Sequence, residues 1–390
     1  MRRLRAGMSV LLMMGLSAAQ AQHQTLGLDP AEPSLPVFHD RLRRQLSFEL
    51  GWTTAAAADP GAWRAAGLAK ARELMLPPQQ DPTPFAPAVI DEIDRGSYIA
   101  RKIEFNVTAE SRVLGLLLVP KGAGPFPAAL LLHDHGARFD IGKEKLIRPW
   151  GQPDREAAAR DWVDKYFSGR FPGDELARRG HTVLAVDALG WGDRSAPGFA
   201  RDSQQALASN LLNFGTSFAG LIAHEDLRAA QFLAGRPEVD RRRVAAIGFS
   251  MGAFRAWQVA ALSDDISAGI AVNWMATLQG LMVPGGNQLK GQSSFAMLHP
   301  FVARHLDYPD IAALAAPKPM LFYAGAQDGL FPLASAQEAF AKLRQVWVAH
   351  GAGYRLHTRV WPSGHVFSAA QQQAAFDWLD ASYDGRSATP

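Results

Sequence analysis

The chain has 390 residues, 48% of them apolar and 20% charged, and no cysteine. That suffices for one large core with an appendage, carries no disorder or repeat signature, and excludes disulfide stapling and thiol catalysis. Forty Lys and Arg against 37 Asp and Glu leave a formal charge of +3, which implies no nucleic-acid or anionic-membrane partner.

Arg2, Arg3 and Arg5 precede an apolar stretch from Met8 to Leu16, followed by Ser17-Ala18-Ala19-Gln20-Ala21. This reads as a secretory signal over residues 1–21, cleaved after Ala21, and predicts a periplasmic or secreted protein. The apolar stretch is shorter than the roughly 20 residues a bilayer span needs. Cleavage takes the 40 basic residues to 37, level with the 37 acidic ones, so the mature chain is formally neutral. Residues 22–97 read as a helical appendage, with helical patterns around Val37–Trp52 and Pro60–Leu76 and a proline-rich linker beginning at Pro77. Those helices are expected to pack on the main body or at the rim of its pocket.

The main body, residues 98–385, opens with strands at Tyr98–Val107 and Val113–Val119. A third strand, Ala128–Leu132, runs into His133-Asp134-His135-Gly136-Ala137. An excursion at about 138–171 follows, longer than a crossover needs and carrying Lys143, Lys145, Arg148, Trp150 and Trp162, so it is expected to wall a pocket. After the strand Thr182–Val186 comes the glycine-rich loop Asp187–Ser195, which lacks phosphate-cradle spacing; Asp187 reads as a loop brace. Arg241-Arg242-Arg243 reads as a solvated turn before the next strand.

Gly248-Phe249-Ser250-Met251-Gly252, between the apolar run Val244–Ile247 and a helical pattern from Ala253 to Leu262, is a nucleophile elbow. A serine is activated when a sharp strand-to-helix turn exposes it beside a base, and the flanking positions want glycine because side chains there would collide with the strand and helix. The strand Ala268–Val272 leads to a second excursion at about 273–307, opening on Asn273 and Trp274. Asp328 lies just past the strand Pro319–Gly325, and His365 just past Thr358–Trp361, before a final helix over Ala369–Ser382; residues 386–390 form a tail.

Ser250, Asp328, His365 is the chain order of the α/β-hydrolase triad, in which the carboxylate orients the imidazole and the imidazole relays the serine proton. His39, His181 and His224 do not follow strand ends, and His299 and His305 sit in the second excursion as possible substrate contacts. The expected fold is therefore α/β: a mostly parallel central sheet with helices on both faces. The oxyanion donors are expected to be the N–H of Met251 and one from the loop after the third strand, with Ala137 favoured and Asp134 and His135 as alternatives. His133-x-His135 has a spacing seen at metal sites, but Ala137 and Arg138 stand where such a site would continue, so no metal and no cofactor is expected. Both histidines then brace the loop. Trp150, Trp191, Trp274 and His135 are the expected substrate contacts, a flat indole suiting the apolar face of a sugar.

The stretch Pro125–Gly136, the helix Asp226–Leu233 with Arg236-Pro237-Glu238-Val239-Asp240, the elbow, and Ala315-Ala316-Pro317-Lys318-Pro319 together resemble the dienelactone hydrolase and acetyl xylan esterase-like branch of the α/β-hydrolases, over about residues 98 to 385. The resemblance implies a serine carboxylesterase acting on plant-polysaccharide or other small esters. Dienelactone hydrolases carry a cysteine nucleophile, and this chain departs from them with Ser250. A peptidase of the prolyl oligopeptidase type is the alternative enzyme, although residues 22–97 are too few for the propeller such enzymes carry. A metal-dependent amidohydrolase is distinguished by chelator sensitivity, and a non-catalytic binding protein by loss of part of the triad.

Overall fold

In the computed structural model, residues 35–77, 83–286, 288 and 295–385 are described. The signal segment 1–21, linker residues 78–82, Asn287, Lys290 and the tail 386–390 lie outside them. The chain divides into two units, residues 1–45 and 46–390. The first contains the helix His39–Arg44, in which Asp40 pairs with Arg43 and Arg44.

In the second unit nine strands among the described residues form one sheet: β1 (Ala88–Asp94), β2 (Tyr98–Asn106), β3 (Arg112–Pro120), β4 (Phe126–Leu132), β5 (Thr182–Val186), β6 (Val239–Phe249), β7 (Ala268–Val272), β8 (Met320–Gly325) and β9 (Leu356–Trp361). Their spatial order is β1-β2-β3-β5-β4-β6-β7-β8-β9. The first three pair antiparallel and β3 is antiparallel to β5; from β5 to β9 every neighbour is parallel. β5, β7 and β8 are buried along their whole length, as parallel strands covered on both faces must be. Alternation divides each strand between two cores: Leu130 and Leu132 of β4 join the helices Pro60–Met75, Phe218–Ala234, Met251–Leu262 and Leu333–Ala349, while Ala129 and Leu131 join Pro153–Tyr166, Pro172–Arg178 and Ala369–Tyr383.

The structure departs from the sequence reading in three places. The helical pattern at Val37–Trp52 shortens to His39–Arg44, because the N–H groups of Glu49, Leu50 and Trp52 are taken by Arg304, His305 and Asp310 instead of by a helix. The sheet begins one strand early, at Ala88, where a strand exposed at nearly every position shows no buried-and-exposed alternation to betray it. Arg241–Arg243 lie within β6, with Arg242 and Arg243 held by Asp240. The helix Pro60–Met75 packs on the body: Arg64 donates to Leu314 O at 2.8 Å, and a Cβ at Gly67 would lie 2.6 Å from Leu314.

Candidate active site

β6 ends at Phe249 and the helix Met251–Leu262 begins two residues later, so the whole turn falls on Ser250, which takes φ 56° and ψ −127°. A non-glycine residue in that region is strained and persists only where its surroundings over-determine it. Here they do. Ser250 N–H bonds Val272 O at 2.9 Å, and Ser250 O accepts from Ala253 N at 2.8 Å. A Cβ on Gly248 would meet Gly252 O at 2.0 Å, and one on Gly252 would meet Leu132 O at 1.9 Å, which is why glycine flanks the serine.

His365 Nε2 lies 2.9 Å from Ser250 Oγ, and His365 Nδ1 lies 2.7 Å from Asp328 Oδ2. Asp328 is buried and its other oxygen accepts Leu330 N–H at 2.9 Å, so the carboxylate has one available orientation. The acid and base loops are laced together by Ala326 N→Trp361 O at 2.8 Å and Gln327 N→Ser363 O at 3.0 Å. Asn273, at φ 56° just past β7, donates Nδ2 to Val366 O at 3.0 Å and to Gly364 O at 3.4 Å, bracketing His365 on both sides. Phe331 stacks on the imidazole, with centroids 6.0 Å apart.

Met251 is the first residue of its helix, so its N–H has no intrahelical acceptor and is available beside Ser250. Ala137 differs from expectation. Consecutive left-handed residues, Gly136 at φ 54° and Ala137 at φ 51°, curl the loop so that Ala137 N–H donates to His135 Nδ1 at 3.0 Å. His135 Nε2 in turn donates to Gln204 Oε1 at 3.1 Å; burial pulls this imidazole down to about 4, so it is neutral at ordinary pH. His133 is wholly buried, its Nδ1 donating to Asp134 O at 2.9 Å and its Nε2 accepting Ala188 N–H at 3.0 Å. Both ring nitrogens of each histidine are thus committed, Nδ1 within the loop and Nε2 to Ala188 or Gln204 outside it.

A cavity of about 560 Å³ opens over Ser250 and His365. One wall is apolar, made of Trp274, Phe295, Met297, Leu330 and Phe331; the other carries Asp134, His135, Trp162, Tyr166, Arg201, Asp202, Gln204 and Gln205. Of the tryptophans expected to contact substrate, only Trp274 lines this cavity. It is 1% exposed, its ring is covered by Phe254, Tyr308 and Phe331, and its N–H points at Met297 Sδ, leaving no free face for a sugar. Trp191 is fully buried among His133, His135, Phe139 and Phe218. Trp150 lies in a separate cleft with Arg95 and Arg148, its N–H on Asp91. The helix Arg201–Asn213, which supplies four lining residues, was not anticipated.

Asp187 braces its loop by accepting from Lys143 N, Lys143 Nζ and Asp193 N. Glu144, Asp187 and Asp193 converge closely enough to ligate an ion, and the Lys143 ammonium already sits 2.6–2.9 Å from one oxygen of each. Burial works against that charge, but Asp187, Glu144 and Asp193 overcome it and push the Lys143 pKa up. A larger cavity, about 900 Å³, lies at the opposite ends of the strands among Asp240, Arg242, Arg243 and Tyr383, and no histidine among the described residues lines it. We place the chemistry in the smaller one, where ligands of open α/β sheets bind, beyond the carboxyl ends of the strands.

Sheet order, elbow and relay together define a serine hydrolase of the α/β-hydrolase class. The family profile described as Abhydrolase family matches residues 40–383, and the chain belongs to that family. It is 27% identical over 289 residues, 73% of this chain and 89% of the relative, to the protein named "Putative hydrolase YtaP" of Bacillus subtilis (strain 168). Among solved structures it resembles a "putative acetyl xylan esterase" from Bacteroides fragilis NCTC 9343, with TM-score 0.68 and 19% identity over 84% of this chain and 82% of the other. It also resembles a glucuronoyl esterase from Solibacter usitatus, with TM-score 0.59 and 15% identity over 83% and 93%. At these identities the two structures speak to the fold. No single helix among the described residues is long and apolar enough to cross a membrane.

Proposed function

We propose that this chain is an exported serine carboxylesterase that deacylates small or carbohydrate-borne esters, acetyl esters above all. The observation that carries the reading is the relay from Asp328 through His365 to Ser250, at 2.7 and 2.9 Å, on the floor of an open cavity. In this reading His365 Nε2 takes the Ser250 proton as Oγ adds to the ester carbonyl. The oxygen that becomes negative is received by Met251 N–H and a second backbone donor. Asp328 steadies the imidazolium, which returns the proton to the departing alcohol; water, deprotonated by the same imidazole, then releases the acyl group from Ser250.

The carbohydrate side is supported by the esterase names of the structural neighbours and by the wall carrying Arg201, Asp202 and Gln205, whose planar polar groups suit vicinal hydroxyls. Export is supported by the charged, apolar and small-residue sequence of residues 1–21. Ser250→Ala is expected to lower ester turnover by about 10⁴ with the fold intact. Acetylated sugars should be cleaved with higher kcat/KM than esters of about eight-carbon acids in a panel that also holds feruloyl and glucuronoyl methyl esters. Wild-type turnover in Ser250→Ala would remove the nucleophile; kcat/KM climbing steadily with acyl length, with acetylated sugars untouched, would replace the carbohydrate reading by a lipase-like one.

A further inference from the structure

The loop after β4 is held from behind by buried cations. Lys145, fully buried, donates Nζ to Asp134 O at 3.0 Å and to His135 O at 3.1 Å, lies 3.5 Å from Asp134 Oδ1, and rests over the Trp162 ring at 4.7 Å. Trp191 Nε1 adds a second bond to His135 O at 3.1 Å. Arg255, locked by a two-bond pair with Asp226, donates to His133 O at 3.2 Å. Three successive carbonyls therefore point at donors outside the cavity lining, since neither Lys145, Trp191 nor Arg255 belongs to it, whereas Asp134, His135, Gly136 and Ala137 do.

A trans peptide is planar, with its N–H antiparallel to its C=O. Fixing the carbonyls of Asp134 and His135 on Lys145 thus turns the N–H groups of His135 and Gly136 the other way. Neither N–H has an acceptor among the described residues, while Ala137 N–H is spent on His135 Nδ1. A cation on the carbonyl also polarises the peptide and strengthens its N–H as a donor.

We propose that Lys145 is the positioning residue of the oxyanion hole: its grip on the carbonyls of Asp134 and His135 presents the N–H of His135 or Gly136, and not that of Ala137, as the donor that complements Met251. The inference rests on the serine-esterase reading. It assigns Lys145 no contact with substrate.

The test uses the full chain, p-nitrophenyl acetate, and n-butylboronic acid, which adds to a serine Oγ and places an oxygen where the tetrahedral intermediate has one. Lys145→Met should lower kcat about 10²-fold, the scale of one lost oxyanion donor, with KM changed less than about threefold. The boronate Ki should rise by the same factor as kcat/KM falls, because the lost interaction exists only in the transition state. A Lys145 that merely supports the fold would lower the active fraction and leave Ki unchanged in what remains, and that result overturns the proposal. The boronate complex of the wild-type protein decides the matter without any variant. Its oxygen should lie within hydrogen-bond reach of Met251 N and of His135 N or Gly136 N; a bond to Ala137 N overturns the assignment while leaving the esterase intact. Absence of any Ser250 adduct, with no ester turnover, would overturn the esterase reading and this proposal together.

Discussion

The two walls of the cavity are built from opposite materials. The first, from Asp134 to Trp162, is ordered by charge: Lys143 and Lys145 are buried, Lys143 amid three carboxylates and Lys145 against two carbonyls. The second is held by ring contacts among Trp274, Phe254, Tyr308 and Phe331, with His299 held neutral inside it. An ammonium fixes where a carbonyl points, whereas packed rings fix the shape and volume of a space. The first suits a wall that aims donors at an oxyanion, the second a wall that measures an acyl group.

Removing the charge from the first wall should have the largest effect on stability. Lys143→Met takes the buried cation from the buried Glu144 and Asp187, leaving Arg155 on Glu144 and the exposed Asp193 and nothing on Asp187 but N–H donors, and breaking such a cluster costs about 3–5 kcal/mol. Urea denaturation should show that loss, with kcat of the folded fraction little changed; an undisturbed midpoint would mean the wall is not held by charge.

The second wall should instead report through pH. Burial pulls His299 down to about 3 from its ordinary 6.5, and its Nε2 faces Gln258 Oε1 at 3.2 Å. A depressed pKa contributes stability that is full above about 6.5 and drains away as pH falls toward 3, since the unfolded chain binds the proton first. The advantage of wild type over His299→Gln, read from urea midpoints, should therefore shrink between pH 7 and pH 5 by about 2 kcal/mol. A gap that does not narrow would mean His299 is hydrated.

The smallest expected effect is on selectivity. Met297→Ala opens the aromatic wall, and each methylene that finds room there contributes about 0.8 kcal/mol, so the butyrate-to-acetate ratio of kcat/KM should rise by up to about fourfold per methylene. Gln205→Ala on the polar wall should leave that ratio alone. The reverse outcome would exchange the acyl and alcohol sides.

What could be read in the sequence follows the same division. The meeting of Ser250, Asp328 and His365 was legible because each lies within four residues of a strand end, and β6 and β8 announce themselves by apolar runs; the glycines at 248 and 252 are demanded by backbone contacts that no side chain could share. Loop side chains were not. That Trp191 follows a strand end and that Trp150 lies in the first excursion was readable, but whether an indole enters the cavity depends on the left-handed turns at Gly190 and Gly151 beside them. The bond from Ala137 N–H to His135 Nδ1 escaped for a related reason: two left-handed residues in a row decide where an N–H points, and one of them is an alanine. Arg201–Gln205 escaped because the helix Arg201–Asn213 buries only Gln204 and Ala208, so its cavity-lining first turn carries no apolar marker.

β1 closes the sheet with a strand whose Asp91, Glu92 and Asp94 reach Lys102, Arg101 and Lys121 at 3.6, 2.8 and 2.7 Å. An open sheet ends in unpaired peptide groups that invite another strand, and Val89 and Ile90, exposed on this strand, would welcome one. Two such borders brought together would set carboxylate against carboxylate across the new seam. Acidic residues along such a border disfavour self-templating, the growth of a tenth strand out of a neighbouring copy.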